Sequence, residues 1–326
     1  MPGKPGVSQP VQGLGALVVG YQPEFPTLDA LLLTLLAEAQ WVVLVDNGGS
    51  QNFLQNAPEA RARVHYLAQP GNVGLGAALN AGFAYLAAQQ CAYTITFDQD
   101  SAPPAGMLAT LHEHHRSLQQ RGISCAAVGP RFRDRRAGGQ PLFPLYQQQG
   151  AFIRKVPLQP ATTPEHEVDV LITSGMMVNM AAWQAGLHYN PGLFVDYTDT
   201  DWCFRARAQG WHLYANLQAE MGHALSDAPP VKFMGLTLLR YSPLRRYYYF
   251  RNTLYFLRQN YVSWAWRRRL FAGLLVRLVG NVWMDDATTR SARFILRGLR
   301  DGIRGRLGPC PFAGDGKTPV SGQRHS

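Results

Sequence analysis

The chain has 326 residues, which suits one large or two small domains, since ~100–200 residues per domain is usual. Its 46% hydrophobic, 16% charged and 11% aromatic residues exclude a disordered or fibrous protein, because this composition can bury enough apolar surface to fold. The net charge of +10 is uneven. Residues 1–230 carry 13 Lys and Arg against 17 Asp and Glu, and residues 231–326 carry 18 against 4. The basic C-terminal segment predicts a polyanionic partner, either nucleic acid or an anionic membrane surface.

Cysteine spacing and hydropathy favour a cytoplasmic protein. The four cysteines show no C-x-x-C spacing, which argues against a zinc site or a small disulfide framework and favours a reducing compartment. The first twenty residues lack a signal-peptide pattern, and no stretch approaches the ~18–20 apolar residues of a spanning helix. We therefore expect a chain that is neither secreted by that route nor threaded through a membrane.

The first part of the chain alternates between strand-like and helix-like segments. Apolar runs predict strands at residues 14–20, 41–45, 64–68, 93–97 and 124–128, and apolar spacing predicts helices at 27–40, 75–90 and 104–121. This alternation predicts an α/β fold with a mainly parallel sheet flanked by helices. Residues 130–167 break the rhythm and are predicted to form a long loop or insertion.

The rest of the chain divides by composition. Order resumes at residue 168, and a helix follows residue 201 before a predicted edge strand that ends at His223. Residues 231–305 mix Arg with aromatic residues and Leu at nearly every turn, which predicts helices without strands. We expect a flexible arm at 1–13, an α/β domain at 14–230, a helical basic segment at 231–307 and a flexible tail at 308–326.

Carboxylates cluster behind two predicted strands. Asp98 and Asp100 follow one strand as D-x-D, a pattern that suits Mg²⁺ shared with substrate phosphates but also occurs in solvated loops. Asp46 follows the preceding strand and leads into a glycine turn. Ligands of open α/β sheets bind at the carboxyl ends of strands, which favours a site here. The Gly-rich approach to the next helix, residues 71–76, suits anionic groups.

A second acidic cluster precedes a predicted helix. Asp196, Asp199 and Asp201 lie within six residues. One of them can cap the helix, but three exceed what capping needs, so one is a candidate general base. His223 is isolated, and it is either a structural histidine or a nitrogen ligand beside the Asp pair.

Together these motifs resemble the family 2 glycosyltransferases of GT-A fold, and among them the bacterial rhamnosyltransferases that build O-antigen and other surface polysaccharides. The similarity covers roughly residues 14–260. It is carried, in chain order, by residues 20–23, 45–47, 71–74 with 78–82, 97–101, 173–175, 194–205, His223 and the Tyr-rich segment 247–252.

The resemblance implies an inverting, metal-dependent transferase whose donor is dTDP-L-rhamnose. Asp199 would be the catalytic base, and Asp98, Asp100 and His223 would hold Mg²⁺ or Mn²⁺. The acceptor would be oriented by Asp196, Asp201, Trp202 and Arg205. The donor would be bound by Tyr21, Pro23, Asp46, Asn47, Asn72, Gly74, Asn80, Asp98, Gln99, Ser174 and Gly175. Another nucleotide sugar, such as UDP-galactofuranose or UDP-GlcNAc, remains an alternative.

The basic segment 231–307 suits an anionic membrane interface, because its predicted helices combine Arg with aromatic residues. Alternatively, these helices pack on the catalytic domain and expose solvated Arg faces. Charge alone does not support a nucleic-acid partner without a recognisable binding motif, although a non-catalytic membrane-binding or nucleic-acid-binding protein remains a different class of hypothesis. The family resemblance implies a lipid-diphosphate-linked glycan acceptor and a peripheral location on the cytoplasmic face of a bacterial inner membrane.

Overall fold

A computed structural model describes residues 10–49, 63–134, 144–158, 165–223, 228–233, 236–283 and 288–312. The strands are β1 (Val11–Gly20), β2 (Ala39–Asp46), β3 (Val64–Ala68), β4 (Tyr93–Asp98), β5 (Cys125–Asp134), β6 (Tyr146–Gln149), β7 (Phe152–Lys155), β8 (Glu165–Glu167), β9 (Met176–Asn179), β10 (His212–His223), β11 (Ala228–Phe233) and β12 (Leu236–Arg240). The helices are α1 (Phe25–Glu38), α2 (Leu75–Ala88), α3 (Met107–Gln120), α4 (Met180–Gln184), α5 (Thr198–Ala208), α6 (Pro243–Phe256), α7 (Trp264–Trp283) and α8 (Thr288–Ile303).

The central sheet has eight strands in the order β3-β2-β1-β4-β9-β5-β10-β8. All of them run in one direction except β9 and β8, which pair antiparallel with their neighbours. The chain places β2 and β3 on one side of β1 and β4 on the other. Strand order therefore reverses at β1, and the carboxyl ends around such a reversal are where open α/β sheets bind ligands.

Helices cover both faces of the sheet, which explains why its strands are apolar almost throughout. One core layer packs Leu32 of α1 and Leu111 of α3 against the sheet, and the other packs Phe83 of α2. The glycine at position 82 lets α2 approach β1 closely, since a Cβ there would lie 2.2 Å from a methyl carbon of Leu17. Close helix packing thus fixes the loop that precedes α2.

The predicted alternation of strands and helices is confirmed over residues 14–128, and the fold is α/β with a mainly parallel sheet. The strand β1 begins at Val11, so the predicted arm loses its last three residues to the sheet. Residues 130–167 were predicted to form a long loop or insertion, and the loop alternative is wrong because the described part of this segment contains strands. β5 continues to Asp134, β6 and β7 form a hairpin, and β8 joins the sheet beside β10. The expected edge strand β10 therefore lies between β5 and β8.

The basic C-terminal segment is helical only from Pro243 onward. An antiparallel hairpin, β11 with β12, precedes the helices, so the prediction of helices without strands from residue 231 is wrong. The expected tail also begins later than residue 308, because the backbone N–H of the buried Cys310 donates to the Tyr248 hydroxyl at 2.7 Å. Within the described residues, no helix combines the length and apolarity needed to cross a membrane.

The helices α6 and α7 share a hydrophobic cluster with the sheet domain. Phe256 and Trp266 pack with Leu193 and Phe204, which belong to the loop before α5 and to α5 itself. The Trp266 indole also donates to the buried carboxylate of Asp169. The C-terminal helices are therefore packed against the α/β domain.

Candidate active site

The carboxyl ends of β1, β2 and β4 are joined by hydrogen bonds. The backbone N–H of Asn47 donates to the Gly20 carbonyl at 2.8 Å. The Gln99 side chain, which follows β4, accepts from the Tyr21 N–H at 2.6 Å and donates to the Tyr21 carbonyl at 3.0 Å. Three residues predicted to bind the nucleotide-sugar donor are therefore brought together where the strand order reverses, namely Tyr21, Asn47 and Gln99.

Asp46 holds the turn that follows β2. Its carboxylate is 3% exposed and accepts from the Gly48 N–H at 2.9 Å and from the Tyr66 hydroxyl. Burial and the Asp46 carboxylate raise the pKa of Tyr66 well above its usual value, so Tyr66 stays a neutral donor. Beside this turn, the exposed Tyr21 ring lies over Gly48, with the partly buried Pro23 two residues further on. Tyr21 is therefore part of the accessible surface beside the Asp46 turn.

The glycine-rich loop before α2 is tied to the end of β2. The Asn47 side chain accepts from the Val73 N–H at 2.8 Å and donates to Asn72 Oδ1 at 3.1 Å, and the same oxygen accepts from the Gly74 N–H at 3.0 Å. Gly74 has φ 85°, and a Cβ there would lie 2.8 Å from the Phe194 carbonyl oxygen. Only glycine fits this approach between the loop and the segment that leads to α5.

Asp98 ends β4, and Asp100 is exposed two residues later. A pair of buried serines supports this strand end. The Ser101 and Ser174 hydroxyls are 2.6 Å apart, and Ser174 Oγ accepts from the Asp98 N–H at 3.4 Å. Gly175 donates its N–H to a β4 carbonyl at 2.7 Å. The predicted residues Asp98, Ser174 and Gly175 thus form one unit with Ser101, which sequence reasoning missed.

Asp199 lies in the first turn of α5 and faces this unit. Its carboxylate accepts from the Thr200 N–H at 2.6 Å, the Thr200 hydroxyl at 3.2 Å and the Thr173 N–H at 3.4 Å. Burial raises the pKa of Asp199 to about 6, and the charge of Asp98 acts in the same direction. A carboxylate of this kind is suited to accept a proton near neutral pH.

Three of the residues expected to orient the acceptor make hydrogen bonds within the protein. Asp201 is 0% exposed, and it accepts from Arg205 Nε at 2.7 Å and from the Tyr261 hydroxyl at 2.6 Å. The buried Trp202 donates its indole N–H to the Leu187 carbonyl at 2.6 Å. These contacts fix α5, and the expected contact of Asp201, Trp202 and Arg205 with the acceptor stays a prediction. Capping and periodicity alone could not distinguish the two roles.

Two other predicted residues also make structural contacts. The Asn80 amide donates to the Tyr189 carbonyl at 2.8 Å and accepts from the Tyr189 N–H at 2.9 Å. Asp196 pairs with the guanidinium of Arg245 at 2.6 Å. Asn80 therefore links α2 to a distant loop instead of facing the strand ends, and Asp196 links the approach to α5 with α6.

A buried Arg-Asn pair on α6 holds the segment before Asp199. Arg251 donates to the carbonyls of Leu193 at 2.7 Å and Gly192 at 3.2 Å. Asn252 donates to the carbonyls of Leu193 at 3.2 Å and Asp196 at 2.8 Å. The sequence pointed to residues 247–252 only through the family resemblance. We call Arg251 and Asn252 the α6 clamp.

The side chains at the end of β4 fit a divalent cation shared with a substrate. Asp98 and Asp100 supply the oxygen ligands that Mg²⁺ or Mn²⁺ prefers. In the parts of the chain that the structure describes, no group of three His, Cys, Asp or Glu gathers as a metal cage. β10 ends at His223 as predicted, and the preceding Gly222 bridges to Ala102, close in sequence to Asp100. The His223 side chain itself lies outside the described residues.

Comparisons with known proteins place the chain in a family. Residues 19–163 match the model of glycosyl transferase family 2. The chain is 31% identical over 249 residues to the dTDP-rhamnosyl transferase RfbF of Shigella flexneri, a match that covers 76% of this chain and 80% of the relative.

Solved structures show the same fold. The chain is similar to S. aureus TarS 1–349 in complex with UDP-GlcNAc, with a TM-score of 0.55 and 14% identity, covering 90% of this chain and 81% of the TarS 1–349 chain. A second structure of TarS 1–349 gives a TM-score of 0.52 at 16% identity, covering 90% and 80%. Identity this low shows the fold alone.

The sheet and these matches define a glycosyltransferase with a GT-A-like fold. The chain belongs to glycosyl transferase family 2, and it is similar to a rhamnosyltransferase of that family.

Proposed function

We propose that the protein transfers L-rhamnose from dTDP-L-rhamnose to a lipid-linked or polysaccharide acceptor in bacterial cell-surface glycan synthesis, with inversion at the anomeric carbon. The observation that carries this proposal is the placement of Asp199, with its pKa of about 6, within electrostatic reach of Asp98 at the strand-end site. The similarity to the Shigella flexneri dTDP-rhamnosyl transferase supports the donor.

In this proposal the donor lies across the ends of β1, β2 and β4. The exposed Tyr21 ring offers a flat surface beside the Asp46 turn. The loop that contains Asn72 and Gly74 leads into the N-terminus of α2, which favours negative charge. The diphosphate would then lie towards Asp98 and Asp100, leaving the sugar between β4 and α5.

Asp199 acts as the general base. Its carboxylate removes a proton from the acceptor hydroxyl as that oxygen attacks the anomeric carbon, and the bond to the diphosphate breaks on the opposite face of the sugar. A single displacement of this kind inverts the configuration. The N–H groups of Thr173 and Thr200 hold the carboxylate in place through the reaction.

Asp98 and Asp100 are the residues that would hold Mg²⁺ or Mn²⁺, with His223 as a further proposed ligand. When bound, the cation would offset the negative charge that builds on the departing diphosphate. The exposed position of Asp100 suits a site that is completed by the substrate.

A donor screen tests the proposal. The purified protein is incubated with Mn²⁺ and dTDP-rhamnose, UDP-GlcNAc, UDP-galactofuranose or a GDP-sugar, and thermal shift and donor turnover are measured. We expect dTDP-rhamnose to give the largest shift, and we expect Asp100→Ala to remove the Mn²⁺-dependent part. Glu113→Ala, which changes an exposed carboxylate on α3, is the control. No binding or turnover of any donor, or an Asp100→Ala enzyme as active as the parent, would overturn the proposal.

A further inference from the structure

One face of α7 carries an exposed apolar stripe. Trp264, Phe271, Leu275 and Val279 are 70%, 51%, 48% and 52% exposed. Their spacing of seven, four and four residues places them on one side of the helix. At 1.5 Å per residue the stripe is about 22 Å long. The opposite side of the helix is packed, since Trp266, Leu270 and Leu274 are buried.

The surroundings of the α7 stripe are basic. Arg268 and Arg269 are exposed beside Trp264, and the sequence contains no Asp or Glu between Asp227 and Asp285. The β6–β7 hairpin adds a further exposed ring, because Arg268 lies 5.9 Å from the centre of Phe152, which is 63% exposed.

The exposed face of α8 has the same character. Leu296 and Ile303 are each exposed by more than half of their surface, and Arg300 is exposed between them. The opposite side of this helix carries the buried Phe294 and Ile295. Two C-terminal helices therefore present apolar side chains together with arginines.

The positive charge around the α7 stripe indicates which partner binds there. A second copy of the chain seated on the stripe would add its own Arg268 and Arg269 to this basic surface, and α7 has no carboxylate to pair with them. A phospholipid surface with anionic headgroups satisfies the arginines and accepts the apolar side chains at the level of the acyl chains. Tryptophan at the end of such a helix is typical of this boundary.

We propose that the α7 stripe docks the enzyme onto an anionic phospholipid membrane. The proposal rests on the proposed function in one respect: a lipid-linked acceptor gives this docking its use. The membrane-binding surface of the basic segment is then α7, together with Phe152 at the tip of the β6–β7 hairpin. The α6 clamp has a different role, which is to hold the active site.

The test is flotation of the full chain with vesicles of phosphatidylglycerol and phosphatidylcholine, compared with phosphatidylcholine alone, at low and high salt. We expect binding to the anionic vesicles that weakens with salt. Leu275→Glu should lower the bound fraction by about tenfold, since it places a charge in the apolar layer. Leu33→Glu, at a 47% exposed leucine on α1, is the matched control and should bind like the parent.

Trp264→Ser provides a second variant at the most exposed position of the stripe, should Leu275→Glu fold poorly. Vesicle binding that is unchanged in both variants, or absent in the parent, would overturn the proposal. Sedimentation velocity on the same samples separates the competing occupant: a dimer that Leu275→Glu dissociates, with vesicle binding unchanged, would make the stripe a homodimer interface. Vesicle binding requires no donor, so loss of sugar transfer with intact binding would contradict the proposed function and leave the docking standing.

Discussion

At the scale of single residues, the proposed role of Asp199 as general base and the stability of the folded protein place opposing requirements on its carboxylate. A general base near neutral pH needs a pKa close to the working pH, and burial beside Asp98 provides this by raising the pKa of Asp199 to about 6. The same burial disfavours the charged carboxylate in the folded protein. A pKa that suits the proposed base therefore lowers the stability of the folded protein at this position.

The pH dependence of transfer follows from this pKa. Below about pH 6 Asp199 is protonated and cannot accept the acceptor proton, so the rate at saturating donor should fall roughly tenfold per pH unit. Above about pH 6 the rate should level off. A profile that stays flat between pH 7 and pH 5 would contradict the assignment of Asp199 as the base.

Stability should respond in the opposite sense. The folded pKa of Asp199, about 6, lies above the ordinary value of 3.8, so the charged form begins to cost stability as the pH rises through this interval. We expect Asp199→Asn to stabilise the protein by roughly 1–3 kcal/mol at pH 7 and by progressively less towards pH 4. Chemical denaturation at both pH values measures this, with Asp29→Asn on α1 as the control. An equal effect at pH 4 and pH 7 would rule out the titration as its source.

At the scale of elements, the α6 clamp connects the C-terminal helices to the segment that leads into the first turn of α5. The carbonyls held by Arg251 and Asn252 belong to the segment that runs into the first turn of α5, where Asp199 lies. The same segment accepts the Leu75 N–H from the opposite side at 2.6 Å, through the Phe194 carbonyl. This segment is therefore fixed between α6 and the glycine-rich loop before α2.

Loss of the clamp should displace Asp199 without removing the donor site. We expect Asn252→Ala to lower kcat by about tenfold to a hundredfold while the donor KM changes little, because small errors in the position of a reacting group are costly. Gln259→Ala, which removes an amide that donates to the Tyr255 carbonyl at 3.0 Å, is the matched control. A parallel rise in KM, or a kcat equal to that of the control, would show that the clamp does not position the base.

Sequence patterns predicted the elements that depend on local apolar runs. The strands β1 to β4 and helices α1 to α3 follow from such runs, and the strand-end position of Asp98 follows from them too. The hairpin β6–β7 was missed because its sequence is mostly polar. Contacts at a distance support it, such as the Ser263 hydroxyl donating to the Gln148 side chain at 2.6 Å. The burial of Arg251 could not be predicted from the sequence either, because arginine is normally exposed.

At the scale of the whole molecule, the acidic α/β part and the basic helical part form one packed structure. The cluster of Leu193, Phe204, Phe256 and Trp266 crosses the boundary that the charge distribution predicts near residue 230. The clamp and the Trp266 contact to Asp169 cross it as well. The basic excess therefore belongs to a segment that completes the catalytic domain and also exposes the α7 stripe.

Truncation tests this unity. A chain that ends at residue 242 loses α6 to α8 and exposes the apolar surface around Leu193 and Phe204. We expect it to aggregate or to lose cooperative unfolding, whereas the full chain should unfold in a single thermal transition followed by calorimetry. Two separate transitions in the full chain, or a stable truncated domain that binds donor, would indicate independent domains.

The proposed function requires rhamnose transfer with Asp199 as the base. The most direct test measures Mn²⁺-dependent transfer from dTDP-rhamnose to lipid-linked acceptors extracted from bacterial membranes, with donor affinity measured in parallel, for the parent and Asp199→Asn. We expect rhamnosylated lipid with the parent, and loss of transfer with unchanged donor affinity in the variant. Normal transfer by Asp199→Asn, or no transfer by a parent enzyme that binds the donor and the acceptor, would contradict the proposed function.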